Sequence, residues 1–221
     1  MNLLKTFTKY ATGSMGALLA GLITTPILTR LISTSQMGKY SMFITIGGLL
    51  ASILYLGLDQ SYVRFYNEEL PGNRNYLLQR CLSYPLIVTS ICAIAIHLLY
   101  RTVSDVIIGE KSLLIASIFS IYLLALVIDR FWLLKLRMEQ KAGAYSILNI
   151  LRKLSYLFIA VLLYFTVLGD SGWTLIIAVT LAEFVLLIGI RLADKGQWGI
   201  KKKELRTSKE ELMKYGFPFI F

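Results

Sequence analysis

The residues most able to do chemistry in this sequence are charges placed inside apolar stretches. Arg152 and Lys153 lie side by side in one such stretch, and Glu183 lies in the next. A charge in hydrocarbon is costly, and it usually faces protein or water rather than lipid. Arg152 and Lys153 sit about eight residues from the near end of their stretch, roughly 12 Å deep if it is helical. Adjacent helical positions point about 100° apart, so the two side chains are expected to face different surroundings. Arg152 is expected inward, because Asn149, Ser155 and Tyr156 stand at i−3, i+3 and i+4 and make a polar face with it. A lipid-facing Lys153 would snorkel toward headgroups. Glu183 is about ten residues from its own end, roughly 15 Å deep and within one helical turn of Arg152. The matched depth predicts that Glu183 pairs with Arg152 or lies near it. The alternative is a protonated Glu183 buried against a helix.

Other candidates are weaker. Asp59 and Arg64, and likewise Asp129 and Arg130, read as local pairs at the ends of apolar stretches. His97, the single histidine, has no carboxylate or cysteine at ligand spacing and reads as a satisfied side chain. Cys81 and Cys92 make neither a disulfide framework nor a zinc site. The sequence carries no phosphate-binding glycine loop, no dinucleotide fingerprint and no HExxH. No cofactor, no metal and no catalytic constellation is expected.

The elements that must hold these charges are long apolar helices. The chain is 56% hydrophobic and 16% charged, and its mean hydropathy is +0.65. A bilayer core needs about 20 apolar residues per helix. Stretches meeting this run from about Ala11 to Ile32, Tyr40 to Val63, Cys81 to Tyr100, Ser112 to Leu134, Ala144 to Val167 and Trp173 to Ala193. A seventh begins near Tyr215 and stops at Phe221. They are too long, and alternate too little, for barrel strands. Pro26 and Pro85 fall inside two of them and should kink them. The fold class is therefore all-α: a polytopic six-helix transmembrane bundle plus the start of a seventh helix. Residues 1–193 form the bundle, 194–213 a basic connection and 214–221 the next helix.

Charge sets the orientation. With the N-terminus in the cytoplasm, all but six of the 23 lysines and arginines fall on the cytoplasmic side. Arg30, Lys39, Arg101 and Lys111 fall outside, and Arg152 and Lys153 lie within a span. Such asymmetry is the positive-inside pattern. It accounts for the net charge of +10 and excludes a nucleic-acid partner. The longest connection holds Lys201-Lys202-Lys203, which either contacts anionic lipid or only enforces topology. Ser208 and Glu211 have capping-box spacing and predict a short helix entering the seventh span.

Several short motifs resemble a known family. Pro26-Ile27-Leu28-Thr29-Arg30-Leu31-Ile32-Ser33 with Gln36-Met37-Gly38-Lys39-Tyr40-Ser41 looks like its first hairpin. Gly57-Leu58-Asp59 and Val63-Arg64-Phe65-Tyr66 resemble the end of its second helix, and Arg137-Met138-Glu139-Gln140-Lys141 the loop after its fourth. Gly216-Phe217-Pro218 looks like the opening of its second half. The family is the Wzx-type oligosaccharide flippases and polysaccharide biosynthesis proteins, within the multidrug/oligosaccharidyl-lipid/polysaccharide exporter superfamily. The resemblance implies two six-helix bundles around a central cavity, of which this chain is the N-terminal one. It implies a multi-pass protein of the bacterial plasma membrane that carries lipid-linked oligosaccharide from the inner to the outer leaflet. Membrane lipids, a polysaccharide polymerase and glycosyltransferases are the implied partners. Arg152, Lys153 and Asn149 would then face the cavity, and Glu183 and Asp59 would serve coupling.

A drug or cation exporter of the same superfamily is the nearest alternative. Its substrates favour acids, whereas the first span here has none. A peptidoglycan-precursor flippase is chemically close, and a non-transporting membrane scaffold is the alternative from another class.

Overall fold

The computed structural model describes residues 3–194 and 205–219, and every regular element in them is helical. The helices are α1 (Leu3–Leu31), α2 (Thr34–Leu54), α3 (Leu58–Phe65), α4 (Arg74–Leu98), α5 (Tyr100–Ile108), α6 (Leu113–Met138), α7 (Ala142–Leu163), α8 (Gly172–Ala193) and α9 (Lys209–Gly216). Among the described residues, five helical segments are long and apolar enough to cross a bilayer: α2, α4, α6, α7 with the π turn after it, and α8. In α1 the described apolar segment is Leu18–Leu31. The Lys201-Lys202-Lys203 run, Ile220 and Phe221 lie outside the described residues.

The surface is that of a membrane protein. Leu22, Ile94, Phe158, Ile188 and Leu192 expose most of their area, with Leu98 at 79%. Isolated exposed leucines are ordinary, but apolar faces on several long helices would not stay in water. Lipid accepts such faces, because a helix satisfies most of its backbone groups internally.

Two apolar clusters organise the interior. The larger joins α2, α3, α4, α5, α6 and α8 around Phe43, Tyr62, Leu77, Phe119 and Phe131. The smaller joins α1, α7 and α8 through Leu28, Ile32, Tyr156, Leu175 and Ala178. Small residues permit the close approaches. A Cβ on Gly16 would stand 2.7 Å from Ile150, and one on Gly189 2.6 Å from Leu148. Glycine at such contacts lets membrane helices approach closely enough for dispersion forces to hold them. Pro26 and Pro85 sit within α1 and α4 without ending either helix.

The connections alternate between two ends. At one end, the Ser33 N–H donates to Asp170 Oδ1 (2.8 Å), the Gly172 N–H donates to Gln36 Oε1 (2.7 Å) and Lys39 pairs with Glu110 at 2.7 Å. At the other, buried Lys135 meets buried Asp194 at 2.5 Å, and the Thr207 N–H donates to Glu69 Oε1 (3.0 Å). Nearby, the Glu139 carboxylate holds the Lys141 ammonium above the ordinary lysine range. α6 leaves this end through Gln140, at φ +57°, where the Lys141 N–H bonds the Leu136 carbonyl at 2.9 Å. That left-handed residue closes the helix and frees the chain to turn back into α7.

The second predicted span is not continuous. It breaks after Leu54, where Leu56 and Gly57 take φ of +54° and +64°. A right-handed helix cannot pass through two left-handed residues, so α3 leaves as a separate element. The third connection also holds a helix, α5, whose Ser104, Ile107 and Ile108 are buried. The capping box is formed, with Ser208 Oγ accepting from Glu211 N–H and Glu211 reaching back.

Candidate functional site

Five helices leave a cavity of about 320 Å³ between the two apolar clusters. α1 contributes Gly21, Thr24, Thr25 and Leu28, and α2 contributes Met37, Tyr40 and Ile44. Tyr122 and Leu126 come from α6, Arg152, Lys153 and Tyr156 from α7, and Val179, Ala182 and Glu183 from α8. The volume is at the lower end of small-molecule sites, and its walls are about as polar as they are apolar.

The threonine hydroxyls are engaged by their own helix. Thr24 Oγ1 donates to the Ala20 carbonyl (2.7 Å) and Thr25 Oγ1 to that of Gly21 (3.0 Å). The Tyr40 and Tyr156 rings stack at 5.7 Å between centroids, 12° from parallel, and brace α2 against α7. The charge in the lining comes from α7 and α8.

Arg152 and Glu183 come together as their depths predict. Arg152 Nη1 lies 3.7 Å from Glu183 Oε2. This is an ion pair longer than a hydrogen bond. The Arg152 side chain keeps 32% of its area exposed while Glu183 keeps 5%. The guanidinium thus retains donors that face the cavity. Lys153 lines the same cavity, as the resemblance implies, although adjacent helical positions are expected to face different surroundings. A long stem bridges the 100° between adjacent positions. Two cations and one carboxylate make this wall net positive. In a low-dielectric setting that favours an anion over a cation.

The remaining candidates fall elsewhere. Asn149 does not line the cavity; its Nδ2 donates to the Tyr145 carbonyl at 2.8 Å. Ser155 Oγ is likewise bonded to Leu151 of its own helix. Of the predicted polar face, only Tyr156 reaches the cavity beside Arg152. Asp59 pairs with Arg130 at 2.8 Å instead of Arg64. Arg64 turns to Glu68 at 2.5 Å. The break after Leu54 rotates α3 out of line with α2, which carries Asp59 toward α6. His97 is satisfied, with Nδ1 2.7 Å from the Ala93 carbonyl and Nε2 3.2 Å from Ser117 Oγ.

Asp129 is the residue that sequence reasoning misplaced. It is not an end anchor pairing with Arg130. It is 2% exposed, and among the described residues no donor reaches either of its carboxyl oxygens. Its neighbour across the α6–α8 interface is the Glu183 carboxyl. Arg130, one residue on, points to Asp59. The signal was the 100° step itself, which sends adjacent charges to different partners.

No curated protein and no solved structure matches the chain. A family model, described as polysaccharide biosynthesis protein, matches residues 3–221. That match spans the bundle, the cavity and the returning helix α9. With its membrane-length helices and a charged internal cavity, this multi-pass, transporter-type chain belongs to the polysaccharide biosynthesis protein family.

Proposed function

We propose that the chain is a flippase bundle that moves lipid-linked oligosaccharide from the inner to the outer leaflet of the bacterial plasma membrane, with its N-terminus in the cytoplasm. Arg152 and Lys153 bind the phosphate-bearing head of the lipid, and the apolar rims of the cavity accept its tail. The observation that carries this reading is the half-buried Arg152 guanidinium, held loosely by Glu183 and facing a cavity that Lys153 shares. A guanidinium presents a planar fork of donors that suits phosphate oxygens. In this reading a second bundle faces the first, and rocking of the two exposes the site to either side in turn. Asn149 and Asp59 hold the architecture of this site and do not touch the head group.

The test is flipping of a fluorescent polyprenyl-diphosphate oligosaccharide in vesicles carrying the protein. Arg152→Ala should remove most of the flipping, and Arg152→Lys should restore part of it. Equal flipping by both variants and the wild type would sink the reading. Flipping of a peptidoglycan precursor alone would move the assignment to that substrate.

A further inference from the structure

Asp129 of α6 and Glu183 of α8 form an acid pair inside the bundle. Asp129 and Glu183 are 2% and 4% exposed, and both Asp129 oxygens and Glu183 Oε2 lack a hydrogen-bond donor among the described residues. Two carboxylates cannot sit together in a low-dielectric interior. One proton shared between them gives a hydrogen bond and a single negative charge. Unsatisfied buried carboxylates are strongly destabilising, so such a pair calls for an explanation beyond packing.

The groups around the pair decide what that explanation is. From α7, Arg152 faces Glu183 at 3.7 Å. From α2, Tyr40 lines the cavity with the glutamate. Tyr122 of α6 lines the cavity with Glu183 and Arg152, and the ring of Tyr55, just beyond α2, lies 5.7 Å from the Arg130 guanidinium. The Asp59–Arg130 pair, beyond Tyr55, is neutral as a unit. Lys153 lines the same cavity, and Arg152, the cation that pairs with Glu183 at 3.7 Å, is the charge that balances a singly protonated pair. A phosphate that takes up Arg152 removes that balance and leaves the pair's negative charge uncompensated inside the protein.

We propose that Asp129 and Glu183 hold one proton between them, and that phosphate binding at Arg152 makes the pair take up a second from solvent. The inference rests on the anion-site reading above. The added proton goes onto the remaining carboxylate oxygen, leaving two neutral carboxyls beside an Arg152–phosphate ion pair. Linkage makes the effect reciprocal: protons tighten the phosphate by the factor by which phosphate tightens the protons. A sodium ion is the less fitting occupant, because Arg152 repels a cation from the same carboxylate.

The experiment is calorimetric titration of the full chain in detergent. The probe is farnesyl-diphosphoryl-N-acetylglucosamine, a diphosphate diester that does not titrate near neutral pH. Buffers of different ionisation enthalpy report the protons exchanged. The wild type should take up protons on binding, and its dissociation constant should fall by up to about tenfold per pH unit as pH is lowered. The double variant Asp129→Asn/Glu183→Gln should bind the probe with neither proton uptake nor this pH dependence. Binding by the wild type with no uptake at any pH overturns the proposal and leaves the anion site standing. Absence of binding by the wild type overturns the anion site and the proposal with it. Persistent uptake in the double variant, or affinity that follows sodium and not pH, also overturns it. If the double variant fails to fold, infrared spectroscopy of the wild type decides. A protonated-carboxyl band that grows on adding the probe supports the proposal, and an unchanged spectrum overturns it.

Discussion

Gly57 and Gly216 meet backbone to backbone: a Cβ built on Gly57 would stand 1.9 Å from the Gly216 carbonyl oxygen. The contact ties the break after α2 to the end of α9, and Ser61 Oγ reinforces it by donating to the Leu212 carbonyl at 2.7 Å. Two sequence motifs 159 positions apart, Gly57-Leu58-Asp59 and Gly216-Phe217-Pro218, are one structural junction.

Gly57→Ala should therefore cost more than its backbone angle alone. Gly109 provides the control, since its φ is +72° but a Cβ there meets nothing within 4 Å. Gly109→Ala should cost about 1–2 kcal/mol, the left-handed penalty of a side chain. Gly57→Ala should exceed that and release α9, seen as a larger fall in melting temperature in detergent and new proteolysis near Ser208.

A second pair of glycines separates packing from propensity on one helix. A Cβ on Gly47 would stand 2.8 Å from the Tyr122 ring, whereas one on Gly48 meets nothing within 4 Å. Gly48→Ala should stabilise α2 by about 0.5–1 kcal/mol. Gly47→Ala should instead push Tyr122 into the cavity, lower stability by about 1–3 kcal/mol and weaken binding of the diphosphate probe. Thermal melts and titrations of the two variants side by side check both signs.

The buried Lys135–Asp194 pair should respond asymmetrically to single and double replacement. Each side chain is 3% exposed, Lys135 lies 4.9 Å from the Trp132 ring and Asp194 is also approached by Lys141 at 3.9 Å. Lys135→Met or Asp194→Asn alone should cost about 3 kcal/mol, because the survivor is left buried and underpaired. Lys135→Met with Asp194→Leu should recover much of that loss. A double-mutant cycle by chemical denaturation in detergent measures the coupling.

Orientation is open to a direct check. Single cysteines replacing Lys111 and Lys141 lie at opposite ends of the bundle. In intact cells, a membrane-impermeant thiol reagent should label the first and spare the second, as the positive-inside pattern requires. The reverse result would invert the proposed topology.

Much of the architecture was legible locally. Span number and approximate limits follow from summed hydropathy, which depends on composition within each stretch. The capping box at Ser208 and Glu211 needs only neighbours three residues apart. Even the approach of Arg152 to Glu183 was legible, because rise per residue converts sequence offset into depth.

What the tertiary structure alone decided was direction. Depth along a helix is a property of one segment, but rotation about its axis is set by packing against others. That rotation sends Asp129 to Glu183 and Arg130 to Asp59, and places Lys153 on the cavity with Arg152. The break at Leu56 and Gly57 was hidden for a related reason. Hydropathy runs unbroken through it, and its left-handed backbone is matched to a glycine that arrives from the far end of the chain.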